Sequence, residues 1–215
     1  VTGPASADKA IFAIYDIFGF YPQTIQGADI LAFSEAQHPY QVFMPDFFDG
    51  NPAQISWYPP DDDDKKEKLD QWWTSAAPSQ HLPKIERLLD AAETFNRNIK
   101  TWGVIGYCWG GKMASILAGT DARFEAAVQT SPARIDPSEA EEAKIPMMIL
   151  ASEEESEDQV KQYSTRLNVK KQVEHFGDQA HGFMSARADL ENPQARSAYH
   201  EGYRLALDFF KENLT

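Results

Sequence analysis

The stretch TWGVIGYCWGGKMAS, residues 101–115, sets an apolar, strand-like run against a helix-like run, with the chain's single cysteine, Cys108, at the junction. Gly106-Tyr107-Cys108-Trp109-Gly110 fits the pattern G-x-S-x-G with cysteine in the serine position. A residue on a sharp strand-to-helix turn stands clear of the sheet edge, and glycines two before and two after it let strand and helix approach closely. The helix that follows points its free N–H groups at the sulfur and favours the thiolate, the reactive form. The Trp109 N–H lies next in line to hold an oxyanion. Three readings compete for Cys108: a buried structural residue, a redox-sensing thiol and a nucleophile. The surrounding pattern favours the nucleophile, and the chain holds no second cysteine to resolve an oxidised one.

A nucleophile on such a turn needs a base and an acid, in the chain order nucleophile, acid, histidine. Of five histidines, His181 alone follows the last strand-like run in a loop, FGDQAHGF, and is expected to be the base. His38, His81, His175 and His200 are expected to be structural. The acid should follow the penultimate strand, in the run Glu153-Glu154-Glu155, where spacing alone does not separate the three. Glu155 is preferred, then Glu154, with Asp136 after the preceding strand as an outside option.

Outward from this centre, apolar runs at 9–17, 40–46, 101–107, 125–131, 145–152 and 169–176 read as strands. Their continuous apolar character predicts a parallel sheet covered on both faces. Helical patterns fall between them at 22–37, 79–98, 109–119, 157–167 and 193–213, the last with Pro193 in its first turn. The alternation predicts one α/β sheet in a single domain spanning 1–215. The least regular segment, 51–73, is expected to be an excursion over the active site.

The chain carries 20 basic and 33 acidic residues, a net charge of −13. Such a surface argues against nucleic acid and anionic membranes as partners. The acidic runs DDDDKKEK, EAEEAK and SEEESED read as solvated loops and helix starts. A lone cysteine excludes an internal disulfide and Cys-rich metal sites, and the expected setting is the reducing cytoplasm. No run of 18 apolar residues appears. The abrupt start at VTGPASADKAIFAIYDIFG suggests that N-terminal residues precede it. A monomer or weak homodimer acting on a small molecule is expected.

The segments YDIFGFYPQ, GYCWGGK and HGFMSARADL, in that order across nearly the whole chain, resemble the dienelactone hydrolase (carboxymethylenebutenolidase-like) family. The resemblance implies an α/β-hydrolase fold with a mainly parallel central sheet and helices on both faces. It implies a cofactor-free hydrolase of a small ester or lactone that works through a thioester, with Cys108 and His181 in a triad. The family's triad aspartate maps to Glu155, a departure of one methylene. The family's acidic residue thought to switch on the thiol maps to Asp16, again a departure, here Asp for Glu. The Ile17 N–H maps to the second oxyanion donor. Arg187 lies near the position of a carboxylate-binding arginine, two residues later than the family pattern. Trp72, Trp73, Phe47, Phe48 and Tyr21 read either as an apolar pocket or as core. The alternative to an enzyme is a relative of the same fold that binds a ligand or senses oxidation without catalysis.

Overall fold

In a computed structural model, residues 1–35 and 39–215 are described; His38 lies outside them. Six parallel strands form one sheet in the order β2-β1-β3-β4-β5-β6. They are β1 (Lys9–Ile14), β2 (Tyr40–Phe43), β3 (Thr101–Tyr107), β4 (Phe124–Thr130), β5 (Met147–Ser152) and β6 (Lys171–Phe176). All seven residues of β3 and all six of β5 are buried, as expected of strands covered on both faces. β6, at the edge, exposes Lys171, Glu174 and His175, charge and polarity that discourage further strand pairing.

The helices are α1 (Pro22–Phe33), α2 (Asp63–Ser75), α3 (Pro78–Phe95), α4 (Trp109–Thr120), α5 (Pro137–Glu142), α6 (Glu157–Arg166) and α7 (Pro193–Asn213). One face of the sheet packs against α2 to α6, through Leu69, Ile85, Leu89, Met113, Ala140 and Val160. The other packs against α1 and α7, through Ala28, Leu31, Tyr203, Ala206 and Phe210.

Several elements differ from the sequence reading. β1 ends at Ile14 because the chain turns out of the sheet, with the Gly19 N–H on the Asp16 carbonyl at 3.1 Å. β2 ends at Phe43, before Pro45, which has no N–H to give a ladder. α1 closes at Phe33, where the Ser34 N–H reaches the Ile30 carbonyl.

Within the irregular segment, α2 starts where the Asp62 side chain accepts the Lys65 N–H. Ion pairs one turn apart, Asp61–Lys65 at 2.7 Å and Asp64–Lys68 at 2.5 Å, lie on its outer side. Leu69 and Trp72 are buried. α5 begins at an Asp136 cap followed by Pro137, a helix-start signal that the acidic run EAEEAK masked.

Candidate active site

The site lies at the C-terminal ends of β1, β3, β4 and β5. Cys108 links β3 directly to α4 and takes φ 52° and ψ −108°, a conformation rare for any residue but glycine. The turn is held from below by three main-chain bonds. The Cys108 N–H donates to Thr130 at 3.0 Å, while the Cys108 carbonyl accepts from Lys112 at 3.1 Å and Ala133 at 3.0 Å. The glycines around it have no room for a side chain. A methyl on Gly106 would lie 1.8 Å from the Gly110 carbonyl oxygen, and one on Gly110 would lie 1.9 Å from the Ile14 carbonyl oxygen. The N-terminus of α4 is thereby pressed against the end of β1.

Trp109 anchors that helix start. Its ring is fully buried, its indole N–H donates to the Ala76 carbonyl at 2.7 Å, and the edges of Phe47, Phe48 and His81 pack on it. Phe47, Phe48 and Trp72 are therefore core that braces the turn, the second of the two readings the sequence left open. Trp73 lies under the Arg134 guanidinium at 4.4 Å, and Tyr21 packs beside Phe18.

His181 stands in the loop after β6. Its Nδ1 lies 2.6 Å from Glu155 Oε1. The other Glu155 oxygen accepts from the Ser152 N–H at 2.5 Å and the Ser152 hydroxyl at 2.7 Å, so a turn at the end of β5 fixes the carboxylate. The loop is tied down by the Gly182 N–H, which donates to the Ser131 hydroxyl at 3.1 Å, and by the Glu153 N–H on the Gln179 carbonyl at 3.0 Å. Burial works to lower the pKa of His181. The facing Cys108 sulfur, by charge and hydrogen bonding, and the Glu155 carboxylate overcome this and raise it well above the usual imidazole value.

Geometry thus separates the three glutamates that spacing could not, and sets Asp136 apart from them. Glu155, which is buried, meets His181 Nδ1. The exposed Glu153 offers only its N–H to this loop, and Asp136 caps α5. Glu154 accepts the Tyr58 hydroxyl at 2.7 Å, the Arg187 guanidinium at 3.0 Å and the His181 N–H at 3.3 Å. Arg187 also donates to the His181 carbonyl at 2.8 Å, and its guanidinium lies 4.4 Å over the Tyr58 ring. Tyr58, within the irregular segment, faces His181 with ring centroids 6.5 Å apart and planes 25° from parallel. The sequence reading missed Tyr58 because aromatic residues in an irregular segment carry no periodic signal.

Asp16 is buried, with a main-chain donor on each carboxylate oxygen. One carboxylate oxygen accepts the Phe18 N–H at 2.9 Å and the other the Ala186 N–H at 3.0 Å. It ties the turn after β1 to the loop that carries His181. Burial raises its pKa, against hydrogen bonds from Ser185, Ala186 and Phe18. Ile17 occupies the second position of that same turn, whose N–H is not used in closing it. His81 is buried against Phe48 and Trp109, and the His175 ring lies 2.9 Å from the Ser152 carbonyl. Among the described residues, no group of three or more His, Cys, Asp or Glu is arranged to hold a metal ion.

The chain as a whole has counterparts among known proteins. The model of the dienelactone hydrolase family matches residues 1–214. The chain belongs to the dienelactone hydrolase family. It is 31% identical to an uncharacterized AIM2 family protein of Schizosaccharomyces pombe, over 98% of this chain and 85% of that one. It is 26% identical to the carboxymethylenebutenolidase homolog of Mus musculus, over 97% of this chain and 84% of the relative. The crystal structure of dienelactone hydrolase from Anabaena variabilis superposes with a TM-score of 0.67 at 15% identity, covering 99% of this chain and 89% of that one. That likeness is one of fold, the α/β-hydrolase fold. Across the family match, the six parallel strands and their two helical layers are those the sequence led us to expect.

Proposed function

We propose that this member of the family hydrolyses a small ester or lactone by attack of Cys108, through an acyl-thioester. The observation that carries the reading is the pairing of buried Glu155 with His181, which faces a cysteine held at φ 52°. His181 takes the thiol proton, and the sulfur adds to the carbonyl carbon. The resulting oxyanion lies between the N–H groups of Trp109 and Ile17, each such donor being worth about 3 kcal/mol of barrier. As the C–O bond breaks, protonated His181 gives its proton to the departing alkoxide. Water then enters, loses a proton to His181 and cleaves the thioester, which releases the acid and regenerates the thiol. Glu155 keeps the imidazole in one tautomer and supports its charge during each transfer. No step calls for a cofactor, and a reducing cytoplasmic setting would keep Cys108 as a thiol.

The test compares wild type, Cys108→Ala and His181→Ala on p-nitrophenyl acetate and an uncharged lactone, with mass spectrometry of the trapped protein. Turnover lost in both variants, with an acyl adduct on Cys108 of the wild type, is the expected outcome. Three folded but equally inactive proteins would leave the reading without support.

A further inference from the structure

We propose that this site takes an uncharged ester or lactone, and that Glu154 is the residue that turns anionic substrates away; the proposal rests on the hydrolase reading of Cys108. The charges around the reacting groups are already committed. Glu155 is committed to His181 and Asp16 to the turn that holds the same loop. Arg187 is a cation at this rim, and Glu154 pairs with it at 3.0 Å. The guanidinium is further occupied by the His181 carbonyl and by the face of Tyr58. A planar cation held on a carboxylate, a carbonyl and a ring is poorly disposed to receive a second carboxylate.

Glu154 itself stays charged. Partial burial works to raise its pKa, but the hydrogen bonds from Tyr58 and Arg187 hold it below the ordinary glutamate value. Its position is fixed by three donors from two segments: the Tyr58 hydroxyl, and Arg187 and the His181 N–H of the loop after β6. The Tyr58 phenol, with its pKa raised by burial and by Glu154, remains neutral. What this arrangement offers a substrate is apolar: Tyr58 packs edge-on to Phe18 with centroids 6.4 Å apart, and Phe18 in turn packs on Tyr21. A neutral acyl or alkoxy group fits that wall, whereas a carboxylate approaching Cys108 meets an ionised Glu154 beside the histidine.

The single cysteine gives a test that does not depend on turnover. Its thiolate displaces iodide from iodoacetamide, which is neutral, or from iodoacetate, which is anionic, and the adducts are counted by mass spectrometry. Rates are normalised to those of 2-mercaptoethanol under the same conditions. Wild type is expected to favour the amide. Glu154→Gln, which keeps the shape and removes the charge, is expected to lower the amide-to-acetate ratio by about tenfold at low salt. Arg187→Gln is expected to shift it the other way. A wild type that favours iodoacetate, or a ratio unmoved by Glu154→Gln, overturns the proposal. Methyl 4-acetoxybenzoate and 4-acetoxybenzoate then carry the same comparison into turnover: the methyl ester is expected to have the higher kcat/KM in wild type, and the reverse order also overturns the proposal. If neither is hydrolysed while the alkylation ratios behave as expected, the hydrolase reading falls and the exclusion of anions by Glu154 stands.

Discussion

At the scale of single residues, the protonation of His181 is the quantity most open to measurement. Its raised pKa depends on the Cys108 sulfur and on Glu155, both acting against burial. In an NMR titration the imidazole of wild type is therefore expected to titrate well above the usual value near 6.5. In Cys108→Ala and in Glu155→Gln the midpoint is expected to fall, since each removes one of the groups that favour the imidazolium. The stability that follows has a definite sign. A folded pKa above the unfolded one favours the folded state fully below about pH 6.5 and loses that contribution as pH rises through the folded value. The stability gap between wild type and Cys108→Ala should accordingly shrink with rising pH, as read by denaturant titration at several pH values. In activity, Glu155→Gln is expected to lower kcat by about a hundredfold or more through loss of the imidazole's orientation and charge support, with KM for a neutral ester little changed.

At the scale of elements, the β3–α4 junction works only because backbone meets backbone. Gly110→Ala places a methyl 1.9 Å from a carbonyl oxygen of β1, and no flexible side chain lies there to yield. We expect it to cost roughly 3 kcal/mol or more, measured by urea unfolding, or to prevent folding outright. Trp109 makes a second demand on the same junction. Its ring fills the space between α4, α3 and the Phe47–Phe48 segment, and its N–H is paired with Ala76. Trp72→Ala, which removes a ring packed at 4.8 Å from Phe48, is expected to cost about 3–5 kcal/mol and to lower activity by loosening this brace. A variant that loses stability but retains full kcat would show that the brace serves folding alone.

At the scale of the whole molecule, a net charge of −13 spread over 215 residues means that the folded state works against its own repulsion. Raising NaCl from low to physiological concentration is expected to raise Tm by a few degrees, followed by scanning calorimetry; a flat or falling Tm would show that the paired charges outweigh the unpaired ones. The charge is unevenly matched. Arg204 is bracketed by Glu201 and Asp208 at 2.6 Å each on the outer face of α7, while other carboxylates on the molecule stand unbalanced by the 20 basic residues.

The local pattern of the chain was enough to determine the order of the six strands and of α1, α3, α4, α6 and α7, the cysteine turn and the loop that carries His181. Each of these is written in neighbouring residues: apolar runs, glycines flanking a junction, a histidine just past a strand. α2 and α5 were less legible because their starts are built from acidic residues that also suit a solvated loop, and only the burial of Leu69, Trp72 and Ala140 marks them as packed helices. Which of Glu153, Glu154 and Glu155 faces the histidine was decided only in three dimensions. Three successive carboxylates are alike in sequence, but a turn sends each in a different direction: one to solvent, one to Tyr58 and Arg187, one to His181. Tyr58 likewise reaches its place from 96 residues away from Glu154, and Asp16 meets Ala186 across 170. Such pairings follow from the register of the sheet and the closing of long loops, which no short stretch of sequence encodes.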